Sequence, residues 1–233
     1  MRYSLMGFNS DGVLIDTEGM HTDNKLESAA CQPVSVNPKG FNPSAKIPFG
    51  CETEHIHKAM KDFTDFLGFI NVQLATKKIQ RLESFMMPAN FSSLVGEFMA
   101  ASIPKYCPTI IKNGYHNGHP DLLQKGKHPN DSHQHADEGI EIKASRHTSG
   151  WQGHNAEDVW LMVFVFDSNT SRDESLKIPP RPFRFVKVVG ALITKQDWNF
   201  SGRSETSRRT ITASVTKSGF EKMEGNWIYR AEP

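Results

Sequence analysis

Three charged residues near the middle of the chain have the types and spacing of a phosphodiester-hydrolysing site. His119-Pro120-Asp121-Leu122-Leu123 is followed, twenty residues after Asp121, by Glu141 within Gly139-Ile140-Glu141-Ile142-Lys143-Ala144-Ser145. Side chains alternate along an extended strand, so Glu141 and Lys143 leave one face while Ile140 and Ile142 enter the core. With Asp121 supplied by a neighbouring hairpin strand, two carboxylates and one lysine share a pocket. Carboxylates of this kind hold a hard divalent ion and leave positions for water and a phosphate oxygen. The lysine would offset charge developing on a phosphorane-like transition state and help orient the attacking water. A structural ion pair between Glu141 and Lys143 on an exposed strand face is the competing reading.

The elements that must position these residues are visible as periodicity. Ile56, Met60, Phe63, Phe66, Leu67, Ile70 and Leu74 recur every three or four residues, predicting an amphipathic helix from Glu54 to about Lys78. Pro88 breaks the pattern, and Phe91, Leu94, Val95, Phe98 and Met99 resume it behind a cap at Asn90, in a helix expected to end before Pro104. Strands are expected at 139–144, at the continuous apolar run Val159 to Phe166, and from Phe183 to Ile193. An unbroken apolar run suits a central strand covered on both faces. Helices first and strands later predict a mixed α/β sheet flanked by helices, with a helical N-terminal half. At 233 residues one domain is expected, divided into an irregular arm (1–50), a mainly helical part (51–110), the catalytic sheet (111–200) and a basic C-terminal region (201–233).

Through Pro120-Asp121 and Glu141-Ile142-Lys143, in their strand context, the sequence resembles the PD-(D/E)XK nuclease superfamily, over a stretch from about Asn90 to Phe166. The resemblance implies a restriction-endonuclease-like core, a mixed sheet with a helix on each side. It further implies Mg²⁺-dependent cleavage of double-stranded DNA to a 5′-phosphate and a 3′-hydroxyl, with Asp121 and Glu141 as metal ligands and Lys143 as the third catalytic residue. Restriction endonucleases among such proteins are commonly homodimers, so a type II enzyme acting as a homodimer is expected. Many members add a glutamate from the preceding helix, which makes Glu97 the candidate, although the helical wheel puts it toward the polar side.

Contacts to DNA are expected from the loop after Lys143, where Arg146, His147, Trp151, Gln152, His154 and Asn155 combine base-edge and phosphate-binding groups. A surface loop whose Trp151 fills a gap in the core is the alternative. Arg203, Arg208 and Arg209, set among hydroxyls, suit phosphate equally well. They belong to a run of basic residues from Lys177 onward that reads either as a phosphate-facing region or as a solvated surface.

The remaining signals limit the alternatives. The net charge of +1 decides nothing, because DNA binding needs a basic face rather than a basic average. No apolar run is long enough to span a membrane and no basic-then-apolar leader is evident, so a cytoplasmic protein is expected. Cys31, Cys51 and Cys107 lack CxxC spacing and read as free thiols. His116, His119, His128, His133 and His135 lack a HExxH pattern and read as loop histidines, with His119 able to share the face of Asp121. A stretch from Phe8 to Glu18 resembles the opening motif of haloacid-dehalogenase-type phosphatases, but Asn9 stands where the nucleophilic aspartate belongs. A non-catalytic DNA-binding protein is the third class.

Overall fold

The structure of the chain, a computed structural model, describes residues 6–8, 14–153, 156–201 and 212–232. The arm is more regular than its composition suggested. Strands β1 (Met6–Phe8) and β2 (Leu14–Asp16) pair antiparallel, and α1 (Thr17–Ala30) follows directly. Irregular chain then runs from Cys31 to Glu52, apart from a single 3-10 turn at Pro38–Gly40. Residues 9–13 of the phosphatase-like motif, Asn9 and Asp11 among them, lie outside the described residues. The segments on either side of them, β1 and β2, pair antiparallel with each other.

Helix α2 (Thr53–Thr76) realises the predicted periodicity, burying Ile56, Met60, Phe63 and Leu67. After a short α3 (Leu82–Phe85), α4 (Pro88–Tyr106) begins on Pro88 itself. The missing N–H of a proline costs nothing at the first helical position, so Pro88 starts this helix, two residues before the expected cap. Pro104 is accommodated in the last turn.

The strands follow: β3 (Ile110–Lys112), β4 (Leu122–Gln124), β5 (Ile140–Ser145), β6 (Gln152–Gly153), β7 (Val159–Asp167), β8 (Arg184–Ile193), β9 (Trp198–Ser201), β10 (Thr212–Val215), then α5 (Lys217–Gly225) and β11 (Trp227–Arg230). Six of them form a mixed sheet in the order β11-β8-β7-β5-β4-β3, in which only β5 and β7 run parallel. A smaller sheet, β6-β10-β9, is antiparallel throughout.

The strand β7 separates two cores, which explains its unbroken apolar run. Met162, Phe164 and Phe166 face α2 and α4 and join Phe63, Phe91, Phe183 and Phe185. Val159, Leu161, Val163 and Val165 face the opposite way, against Trp151, Trp198, Val215 and Met223. A polar network ties the helical half to the sheet. Buried Arg81 donates to Glu83 at 2.7 Å, to Glu27 of α1 at 2.8 Å and to Asn169 beyond β7 at 2.9 Å.

The C-terminal region is not a free basic surface in its described part. Strand β11 is an edge of the main sheet, and α5 packs on β8. Lys222 binds Asp197 at 2.6 Å, Arg230 binds Glu224 at 2.9 Å, Lys187 binds the same Glu224, and Arg181 binds Asp167 at 3.2 Å. These cations neutralise carboxylates of the fold. Arg203, Arg208 and Arg209 lie outside the described residues.

The division of α2 into a core face and a solvent face can be checked by chemical denaturation. Phe63→Ala should cost about 3–5 kcal/mol of stability, the usual penalty for deleting a fully buried aromatic ring. Phe69→Ala, on the outer face of the same helix and 64% exposed, should change stability by no more than about 0.5 kcal/mol.

Candidate active site

The charged pair on β5 depends on the two faces of that strand. Ile140 and Ile142 enter the core under α4, so Glu141 and Lys143 project from the other face, beside Leu161 and Val163 of β7. Across β5 on its other side lies β4, joined by the antiparallel pairing of Leu122 with Ile140. Continuing that register by one residue sets Asp121 opposite Glu141, on the same face. A hydrogen bond fixes it there, the amide of Ile142 donating to Asp121 Oδ2 at 2.8 Å. The close approach needs a glycine at 139, where a Cβ would stand 2.5 Å from the Leu122 carbonyl oxygen.

The segment before Asp121 is braced from outside the motif. The Asn113 side chain donates to the carbonyl oxygens of Pro120 at 3.0 Å and His133 at 2.8 Å, and its backbone N–H donates to the Asp121 carbonyl oxygen at 2.8 Å. His119 is held between Gln134 and Ala136, whose backbone groups bond to its own amide and carbonyl. Its ring therefore reaches the site: Nδ1 lies 3.0 Å from Glu141 Oε2, and Nε2 lies 3.4 Å from Glu157 Oε1. Glu141 Oε1 takes the Lys143 ammonium. The result is a cluster of three carboxylates, one imidazole and one ammonium, with Glu141 at its centre and 9% exposed.

Electrostatics separates the two facing carboxylates. Burial pushes Asp121 up to about 7, reinforced by the negative charge of Glu141 and only partly offset by the Ile142 amide and Lys143. Burial also acts upward on Glu141, but the hydrogen bond from His119 and the charge of Lys143 outweigh it and hold this carboxyl low. For His119, burial opposes the charged ring, yet the bond to Glu141 and the charges of Glu141, Glu157 and Asp121 raise its pKa. Lys143 behaves likewise, burial being outweighed by Glu141. Asp121 thus carries the strain of the cluster.

The expectation from sequence is a divalent cation between the two carboxylates. Two carboxylates face each other on adjacent strands, and among the described residues no donor reaches Asp121 Oδ1. A cation between them would remove the repulsion that raises Asp121. Asp121 and Glu141 are the residues that would hold it, and Glu141 would exchange part of its hold on His119 or Lys143 for the metal.

The other residues singled out from sequence divide. Glu97 is exposed and bound to Lys112 at 2.7 Å, but its charge is among those raising Asp121, so it lies within electrostatic reach of the site. Trp151 is 3% exposed, packs on Phe220 and donates its indole N–H to the His147 carbonyl at 2.9 Å. It fills the second core, which corrects its reading as a DNA contact. Arg146 is half-buried and turns inward to the Ser168 carbonyl. His147 and Gln152 are exposed, and His154 and Asn155 lie outside the described residues. Glu157 and Asn113 carry no motif; only the fold brings them to the site.

No protein-family model matches the chain, and a search of curated proteins finds no match to it. Among the described residues, no helix is long and apolar enough to cross a membrane.

The raised pKa of Asp121 gives a stability test with a definite sign. A carboxyl whose folded-state pKa exceeds its unfolded value destabilises the metal-free protein increasingly as pH rises from the ordinary aspartate range to about 7, and constantly above it. Asp121→Asn should therefore raise the melting temperature by several degrees at about pH 8 and by little at about pH 4. A gain of equal size at both pH values would show that Asp121 is not held in its neutral form by burial and Glu141.

Proposed function

We propose that the chain is a Mg²⁺-dependent endonuclease of the PD-(D/E)XK type that hydrolyses phosphodiester bonds of double-stranded DNA, as a sequence-specific type II restriction enzyme acting as a homodimer. The observation that carries this reading is the position of Asp121 opposite Glu141, with Lys143 on the same face of the next turn of the pleat. The order of elements supports it too: a helix, an antiparallel run β3-β4-β5, and a strand β7 parallel to β5.

In this reading Asp121 and Glu141 hold the metal. A bound magnesium ion supplies Lewis-acid polarisation of the phosphate and a coordinated water of lowered pKa. Lys143, kept at the mouth of the site by Glu141, places a positive charge where the attacked phosphate gains negative charge. His119 acts as a positioning residue, restraining the second oxygen of Glu141 and linking it to Glu157. In this reading the exposed His147, on the loop leaving β5, and the exposed Gln152 of β6 would meet a duplex. The pairing of the described C-terminal cations with carboxylates favours this catalytic reading over a purely electrostatic DNA binder.

Plasmid DNA incubated with the full chain should be cut when Mg²⁺ is supplied and left intact with a chelator, and mapped fragment ends should fall at one short sequence. Asp121→Ala and Lys143→Ala should each lower the cutting rate by about 100-fold or more. Cutting retained by both variants would reject this site, and ends scattered along the DNA would reject the restriction-enzyme reading while leaving the nuclease.

A further inference from the structure

We infer that Cys51, His55 and Cys107 form a second metal site, for a thiophilic cation of the zinc class, separate from the carboxylate cluster. One ligand atom from each residue lies within 4.8 Å of the other two. In a tetrahedral zinc site with Zn–S of about 2.3 Å and Zn–N of about 2.0 Å, the ligand atoms stand roughly 3.6–3.8 Å apart. The three groups need only draw together by about an ångström.

Local structure explains why residues so distant in sequence converge. Cys51 lies just outside α2, next to its N-cap Glu52, and His55 lies in the first turn of the helix. Cys107 is the residue that ends α4. The chain reaches Cys51 through a left-handed turn, Phe49 at φ 59° and Gly50 at φ 69°. Thr109 pins that turn, its hydroxyl donating to the Phe49 carbonyl while standing 3.2 Å from Cys107 Sγ. Both thiols are buried, whereas the neighbouring Thr109 is exposed.

The donor set decides the kind of cation. Two sulfurs and an imidazole select zinc or a similar soft ion over magnesium, the reverse of the preference at Asp121 and Glu141. Binding has one local consequence, because His55 Nδ1 accepts the Glu52 amide at 3.0 Å. That bond is given up whether the metal takes Nδ1 or takes Nε2 and moves the ring proton to Nδ1. One capping hydrogen bond is exchanged for three metal–ligand bonds, with the thiol protons released as the thiolates form. The cation would clasp the start of α2 to the end of α4, the helix that packs against β5.

The full chain, purified under reducing conditions without chelator, should contain close to one zinc per chain, and replacement by Co²⁺ should give thiolate-to-cobalt charge-transfer absorption. Cys51→Ser and Cys107→Ser should each abolish that absorption and His55→Ala should weaken cobalt binding by at least about 10-fold, whereas Cys31→Ser should retain it. Asp121→Ala with Glu141→Ala should also retain it, so this site and the nuclease reading can fail separately. The wild-type chain needs no substitution for a further check: zinc should protect two of its three thiols from alkylation. Absence of the cobalt band from the folded wild-type chain, or closure of Cys51 and Cys107 into a disulfide under conditions that leave other thiols reduced, would overturn the proposal.

Discussion

Two carboxylates face each other across one antiparallel strand pair, and the folded chain has to carry their repulsion. That constraint organises the middle of the molecule. Lys143 and His119 compensate the charge of Glu141 directly, one at each oxygen, and Asp121 is left to absorb the remainder through its raised pKa. An arrangement built for stability alone would have replaced such groups with apolar side chains of similar volume. Here the strand keeps them, fixed by a backbone hydrogen bond and braced by Asn113.

The rest of the fold makes that arrangement rigid. Strand β5 is apolar on the side that meets α4 and charged on the other, so rotating it to hide the carboxylates would expose Ile140 and Ile142. On its other edge β7 is packed on both faces and cannot shift in register without displacing two cores at once. The strain at the charged site is therefore supported by burial on either side of the sheet, a common relation between functional groups and the scaffold that holds them.

Much of this was legible in the residues. The three-and-four spacing from Ile56 to Leu74 specifies α2, the run from Val159 to Phe166 specifies a strand covered on both faces, and alternation around Glu141 specifies which side chains share a face. What could not be read were the contacts made at long range. Asp121 needed the register between β4 and β5, which one glycine and one amide set. Glu157 and Asn113 have no local pattern, and His119 gains its meaning only from the bonds that turn its ring toward Glu141. Trp151 and the C-terminal cations were left between two readings for a related reason: amphipathic and charged side chains have no periodicity that distinguishes a surface from a partner within the fold.

In the proposed function Asp121 and Glu141 together hold a hard divalent metal. Electron paramagnetic resonance of Mn²⁺ bound to the full chain tests this most directly, since free and bound ions are counted separately and no DNA or turnover is required. Binding by the wild-type protein should weaken by about 10-fold or more in Asp121→Ala and in Glu141→Ala, and should be unchanged in Cys51→Ser. Equal Mn²⁺ binding by the wild-type protein and both carboxylate variants, with each variant folded, would contradict the account.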